Sequence, residues 1–421
     1  MTKMNIKRIV MYLTPVIAAL IIISACSHED KLSDSREPNS KGNQSESADI
    51  GDYHICTAFC EFENAIYFTG SIGRGDQNLI YYYDKESGQT GPLCGKAECG
   101  HEDSSCNAWA GNDKQMRFLA RYDDGLVLVS TPLNGSLEEA NDLCIYALNP
   151  DGTGRKTLRQ LKNPWDGAGR INTQFLMLGD YMILSGLKQT IQDADYWNIP
   201  FVYAFAMQKE ETVILYEGEK TKDFPRTILQ TCGRELCFLN EQETRAEDGT
   251  IQTEASLLRW RQEQSSPDMI YEGLLPAYMF ELWPGRDEIR FCKYGSAGLY
   301  KYGLNNQAFE VVYRNDSEEA EGLYGCFSEG IAALTRTDTE EGIQCTISVY
   351  NETTDTFSQH TSVLKLENFH TEELIHFLCG SDNEALYYYI EGYKGIEIYA
   401  WMLRISPDKE EIDILWKNKE S

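Results

Sequence analysis

From about Tyr53 onward, short apolar β-prone runs alternate with turn-forming residues, and the alternation itself repeats. Each repeat is an apolar segment, a tight turn, a strongly β-prone segment, a loop, another β-prone segment often ending in tyrosine, a turn, and a last segment. The phrase occurs seven times, its second segments beginning near Ala65, Gly125, Tyr181, Leu236, Ile289, Ile331 and Leu386. A period of about 50 residues is that of a four-stranded propeller blade. In the first unit the strands are His54 to Phe62, Ala65 to Gly70, Leu79 to Asp84 and Gln89 to Cys94. In the second they are Gln115 to Tyr122, Gly125 to Thr131, Leu143 to Leu148 and Lys156 to Leu161. Turns at 85–88 and 150–154 carry the glycines that hairpins need for positive φ. No long amphipathic helical stretch competes. The pattern predicts an all-β chain, a seven-bladed β-propeller of four-stranded blades, occupying residues 52–421 as a single domain. Ile412 to Trp416 supplies the last outer strand, so the ring is expected to close by packing of its first and last blades, without strand exchange.

The beginning of the chain follows another pattern. Lys3, Lys7 and Arg8 precede an apolar run from Ile9 to Ile23, and Ser24-Ala25-Cys26 follows at once. A basic start, a run too short and too abruptly ended for a stable span, and small residues before a cysteine make residues 1–25 a secretory signal peptide. The arrangement resembles the lipobox of bacterial lipoproteins, which implies cleavage before Cys26 and diacylation of its thiol, the palmitate-type modification of a lipoprotein. An ordinary signal peptide with an incidental cysteine, or a retained anchor, are the alternatives. Residues 26–51, the lipidated cysteine and a Ser/Asp/Glu/Asn-rich stretch, contain too few large apolar groups to offset ordering entropy and read as a flexible tether. The expected address is the extracytoplasmic face of the cell membrane, held by lipid.

Charge narrows the partners. With 38 basic against 66 acidic side chains the chain carries −28. No basic stripe is present to neutralise phosphates, so nucleic acid is not an expected partner, and anionic headgroups are disfavoured too. Membrane association is left to the acyl chain.

Two further segments carry resemblances. Cys144 to Leu158, Cys-Ile-Tyr-Ala-Leu-Asn-Pro-Asp-Gly-Thr-Gly-Arg-Lys-Thr-Leu, resembles the third-strand, turn, fourth-strand phrase of TolB-like propellers. That resemblance implies the fold and no particular activity. Leu93 to Ala108, Leu-Cys-Gly-Lys-Ala-Glu-Cys-Gly-His-Glu-Asp-Ser-Ser-Cys-Asn-Ala, is similar to a cysteine–histidine signature of uncharacterised propeller lipoproteins of anaerobic gut Firmicutes, which implies no biochemical role.

Read for chemistry, this second segment holds three cysteines and His101 within thirteen residues. A disulfide between Cys99 and Cys106, with Cys94 elsewhere or free, is the economical reading for an exported protein. Reduced structural thiols are the second reading. A tetrahedral zinc ion on Cys94, Cys99, His101 and Cys106 is the third, although the spacing matches no common zinc module. Cys60, Cys232, Cys326 and Cys379 recur near the ends of inner strands and read as small buried hydrophobes. Cys232 and Cys237 could form a bridge across a hairpin.

Catalytic signatures are missing. No nucleophile elbow, zinc-protease helix or phosphate loop occurs, and the glycines of 70–75 read as a turn. His376 is a lone histidine on an inner strand, and Glu372 and Glu373 read as solvated charges. No catalytic residue and no cofactor is assigned. Trp109 and Trp165 fall in blade-to-blade connections, and Tyr196 and Trp197 in the long loop of the third blade. These four are the candidate ligand-binding residues, as one aromatic surface for a glycan, a peptide or a protein; the alternative is that they pack loops onto the body. The function expected is a binding or interaction module. The competing reading is a hydrolase or lyase acting on carbohydrate or peptide at the channel mouth, and a structural assembly role is the third.

Overall fold

The computed structural model describes residues 59–69, 79–103, 105–109, 114–132, 142–162, 164, 169–192, 195–232, 234–245, 251–275, 279–284, 288–293, 298–303, 305–314, 323–327, 330–339, 342–351, 356–365, 373–381, 385–394, 397–406 and 409–417. The signal peptide, Cys26, the tether, Trp165 and the glycines of 70–75 lie outside them.

Every described element is a strand. In chain order these are β1 (Phe59–Glu61), β2 (Ala65–Thr69), β3 (Ile80–Asp84) and β4 (Thr90–Pro92); β5 (Lys114–Tyr122), β6 (Gly125–Pro132), β7 (Leu143–Leu148) and β8 (Lys156–Leu161); β9 (Gly169–Leu178), β10 (Tyr181–Gln192), β11 (Asp195–Ala206) and β12 (Thr212–Glu217). There follow β13 (Arg226–Cys232), β14 (Glu235–Arg245), β15 (Ile251–Arg261) and β16 (Asp268–Leu275); β17 (Met279–Pro284), β18 (Glu288–Lys293), β19 (Gly298–Gly303) and β20 (Phe309–Arg314). The last are β21 (Leu323–Phe327), β22 (Gly330–Thr339), β23 (Gly342–Asn351) and β24 (Thr356–Lys365), then β25 (Glu373–Ser381), β26 (Leu386–Lys394), β27 (Glu397–Ile405) and β28 (Asp413–Lys417). Each set of four consecutive strands forms its own antiparallel sheet in simple up-and-down order. The second strands start within one residue of the positions expected from the repeat. The outer strand of the first sheet is shorter than expected, Thr90–Pro92, because the chain leaves the sheet after a proline that has no N–H to donate.

Middle strands read as continuous apolar runs because a neighbouring sheet covers each face. Leu386 to Ile390 of β26 are all buried, as are Met182 to Leu187 of β10. Outer strands keep exposed positions, as in β8 and β12. Sheet one meets sheet two through Tyr67, Ile80, Leu119, Leu126 and Leu128. Sheets two and three share Phe118, Val129, Ile145, Met182 and Phe201, and sheets three and four share Ile183, Val202, Phe238 and Trp260. Leu239, Leu257, Ile289 and Tyr300 join sheets four and five. Leu334, Ile347, Tyr388 and Leu403 join sheets six and seven.

The seventh sheet also packs on the first. Tyr387, Tyr389, Met402 and Leu415 share a core with Phe59, Ile66 and Phe68. The Trp416 ring lies 5.1 Å from Tyr81 and 6.1 Å from Phe68, and the Thr90 hydroxyl donates to the Leu415 carbonyl at 2.5 Å. At the sixth sheet, residues 409–411 run alongside β24. Val363 N–H donates to the Glu410 carbonyl at 3.3 Å, the Ser362 hydroxyl donates to the Lys409 carbonyl at 2.9 Å, and Val363 and Glu411 form a parallel bridge.

Candidate functional site

The cysteine–histidine loop begins and ends on one residue of β3. Leu93 N–H donates to the Ile80 carbonyl at 2.8 Å, and Ile80 N–H donates to the Ala108 carbonyl at 2.9 Å. Residues 94–107 are therefore an Ω-like excursion whose ends are held together by the sheet. Inside it the chain folds back sharply, with Glu98 at φ 60° and His101 at φ 56°, both left-handed without being glycine. A turn follows in which the Asp103 carboxylate accepts from Ser105 N–H at 2.8 Å and the Asp103 carbonyl from Cys106 N–H at 3.1 Å.

These reversals bring the Sγ atoms of Cys94, Cys99 and Cys106 and a ring nitrogen of His101 within 4.8 Å of one another. The His101 Nδ1 is 3.2 Å from the Cys106 Sγ. Cys99 and Cys106 are free thiols in this structure, and four groups converge where a disulfide would join two. Backbone N–H groups serve the sulfurs. Burial alone would raise the Cys94 thiol, but the N–H groups of Lys96 and Asn107, with the Cys106 and Cys99 side chains, hold it below its ordinary value. Burial pushes the Cys106 thiol up to about 12; its N–H partner, Ala108, opposes that, while Cys94 and Cys99 add to it.

The loop docks onto the turn between β7 and β8. Gly95 N–H donates to the Gly152 carbonyl at 3.2 Å, and the Asn107 side-chain amide donates to the same carbonyl at 2.7 Å. The Arg155 guanidinium donates to the Asn107 carbonyl at 3.0 Å and also to that of Trp109, and it lies 4.7 Å above the Tyr146 ring. Tyr67 adds its hydroxyl to the Pro150 carbonyl at 3.1 Å. Gly152, at φ 78°, has no room for a side chain: a Cβ would sit 2.8 Å from the backbone nitrogens of Cys94 and Gly95.

Of the four aromatic candidates, the three that are described, Trp109, Tyr196 and Trp197, do not form one surface. Trp109 is 8% exposed and packs with Cys60, Leu79, Cys106 and Leu126, because its backbone bridges to Leu79 and carries the ring into the seam between the first two sheets. Tyr196 and Trp197 stand on the long β10–β11 arm. Tyr196 is 63% exposed and faces Ile191, 57% exposed, across the strand pair. Trp197 is paired with Thr190, and the ammonium groups of Lys220 and Lys222 lie 5.3 and 5.2 Å from its ring. Neighbouring strand residues point to opposite faces, so Tyr196 and Trp197 serve different sides of the arm. The segment carrying the lysines is tied on by the Asn198–Thr221 bridge and presents Phe224, 64% exposed.

His376 lies in β25 opposite Ile390, and Glu373 opens the same strand. Cys60 and Cys379 are buried as expected. Cys237 is buried and pairs with Gln230, while Cys232 pairs with Glu235, so the two cysteines stand two residues apart in register and are not cross-strand partners. A cleft of about 510 Å³ escaped the sequence reading; it is lined by Arg121, Tyr122, Asp123, Asp180, Arg234 and Gln262, among others. Its residues come from the first turns of three successive sheets and from the last turn of one, so no local signature announces it.

Consecutive four-stranded antiparallel sheets in up-and-down order, most of them seen packed face to face among the described residues, are the organisation of the β-propeller class. Known structures agree at the level of fold. The chain is similar to an ulvan lyase of polysaccharide lyase family 25, solved bound to -[GlcA(1-4)Rha3S]-, with a TM-score of 0.52 and 11% identity over 88% of this chain and 96% of that one. It is also similar to oligopeptidase B from Leishmania major, with a TM-score of 0.50 and 10% identity over 87% of this chain and 49% of the enzyme. No family model matches the chain, and no curated protein sequence matches it either.

Proposed function

We propose that the chain is a lipid-anchored, extracytoplasmic β-propeller of seven blades that acts as a ligand-binding or protein-interaction module. The observation that carries the binding reading is the tip of the β10–β11 arm, where Ile191 and Tyr196 lie side by side in solvent. Large apolar groups gathered on an extended strand pair have a desolvation gain to offer a partner. An aromatic ring beside an aliphatic one suits the apolar face of a sugar or a peptide side chain. Closure as a ring is supported by the core shared between the first and last sheets. Anchoring rests on the residues up to Cys26.

Glycan and peptide arrays probed with the tether-free domain test the binding reading, followed by Tyr196→Ala on any ligand found. If Tyr196 is a central contact, the variant loses about 2 kcal/mol of affinity with an unchanged melting midpoint. Trp109→Ala, in contrast, lowers the melting midpoint, because its ring is in the core. Normal binding by Tyr196→Ala would move the site elsewhere.

For the anchor, mass spectrometry of the mature N-terminus is expected to find a diacylated Cys26, and Cys26→Ala to remove the protein from the membrane fraction. An unmodified N-terminus at another residue would refute lipidation.

The cleft favours a second reading, a hydrolase or lyase acting on carbohydrate or peptide. Arginines 121 and 234 and aspartates 123 and 180 border one concave space, a mixture that could hold a polar substrate. Turnover lost on Arg234→Ala but kept in Tyr196→Ala would select this reading over the first.

A further inference from the structure

We infer that Cys94, Cys99, His101 and Cys106 hold a single zinc ion in tetrahedral coordination, a site that fastens the outer edge of the first blade to the second. Zinc–sulfur bonds of about 2.3 Å arranged tetrahedrally place ligand atoms about 3.7 Å apart. The four donor atoms already lie within 4.8 Å of one another, with the His101–Cys106 pair at 3.2 Å, so shifts of about 1 Å or less, shortening the long pairs and lengthening this short one, complete the site. A disulfide would instead use two sulfurs and leave the other two groups turned toward them for no purpose.

Three features outside the ligand set support the metal. Lys96 and Ala108 follow Cys94 and Cys106 by two residues, and each turns its N–H toward the preceding cysteine's sulfur, an arrangement that steadies a thiolate. The left-handed conformations at Glu98 and His101 reverse the chain on either side of Cys99 and aim it and the imidazole inward. Three thiolates and a neutral imidazole around Zn²⁺ leave one net negative charge, and the Arg155 guanidinium beside Cys106 offsets it. On binding, the three thiols give up their protons to solvent as the zinc–sulfur bonds form, and no oxidant or reductant is involved.

Borderline-soft sulfur and nitrogen donors favour zinc over magnesium or calcium. Four protein ligands leave no open coordination position, so the site is structural. What it holds is the loop whose backbone grips Gly152 and Arg155 of the second sheet.

The test uses the full chain, purified in detergent under reducing, metal-free conditions and titrated with Co²⁺. One equivalent is expected to give the strong visible absorption of tetrahedral cobalt and sulfur-to-cobalt charge transfer, with one equivalent of Zn²⁺ abolishing both. Cys99→Ser and Cys106→Ser should lose the spectrum, Cys144→Ser should keep it, and His101→Cys should bind with a spectrum shifted toward all-sulfur coordination. Loading with zinc should raise the melting midpoint of the unaltered chain. Absence of a tetrahedral cobalt spectrum in the reduced chain, its persistence in Cys106→Ser, or recovery of the native protein from cells with Cys99 bonded to Cys106 would each overturn the inference.

Discussion

A chain truncated after Thr371 will aggregate; it will not persist as a soluble protein of six sheets. Removing β25 to β28 strips two interfaces at once. On one side Phe59, Ile66 and Phe68 lose Tyr387, Tyr389 and Met402, and Phe68 and Tyr81 lose the Trp416 ring. On the other side Leu334 and Ile347 lose Tyr388, Ile390 and Leu403. Each fully buried large apolar side chain is worth about 1.5–3 kcal/mol, so the loss exceeds the whole stability of an ordinary domain, about 5–15 kcal/mol. Two newly bare sheet faces also invite association. Size-exclusion chromatography and urea unfolding of residues 52–371 beside the complete domain provide the measurement. A monomeric truncation with a cooperative transition would mean that the contact between the first and last sheets does not hold the fold together.

Gly152→Ala is expected to destabilise the domain by roughly 2–4 kcal/mol, adding the cost of a left-handed alanine to that of overpacking. The new methyl group would meet backbone, not side chain: Leu93 C, Cys94 N and Gly95 N all lie 2.8 Å from its position. Backbone pinned through Ile80 at both ends cannot yield easily. Gly88→Ala separates the two costs, since Gly88 has φ 69° but nothing within 4 Å of a Cβ. It should lose about 1 kcal/mol, the conformational part alone. Equal losses in urea denaturation would show that the loop does not press on the turn.

Repetition made the strands legible. Seven copies of one hydrophobic phrase fix the register of the whole chain better than any single segment does, which is why second strands were located to within a residue. The cysteine loop was legible in composition but not in outcome. Nothing in its spacing discloses that Glu98 and His101 reverse the chain, and those two reversals decide whether two sulfurs or four donors meet. The sequence leaves Trp109 open between ligand contact and loop packing for a related reason: a tryptophan in a connection looks exposed until the Leu79 bridge is known to carry it into a seam. Tyr196 and Trp197 were recognised as a pair, but the loop expected there is strand, and strand geometry sends neighbours to opposite faces. The cleft was invisible because its lining converges from separate sheets.

The segment 409–411 laid along β24 bears on how molecules of this protein meet at high concentration. An outermost strand with free amide and carbonyl groups is a template on which another chain can add, and such addition is how fibres and cross-strand dimers start. On β24 part of that row is already occupied, the Val363 N–H by the Glu410 carbonyl, and the Ser362 hydroxyl holds the covering segment in place through the Lys409 carbonyl. At the first sheet the outermost strand is only three residues long and offers little to copy. At these two edges, copies pressed together would therefore meet through side chains and not by adding strand to strand, in a population carrying a large excess of negative charge.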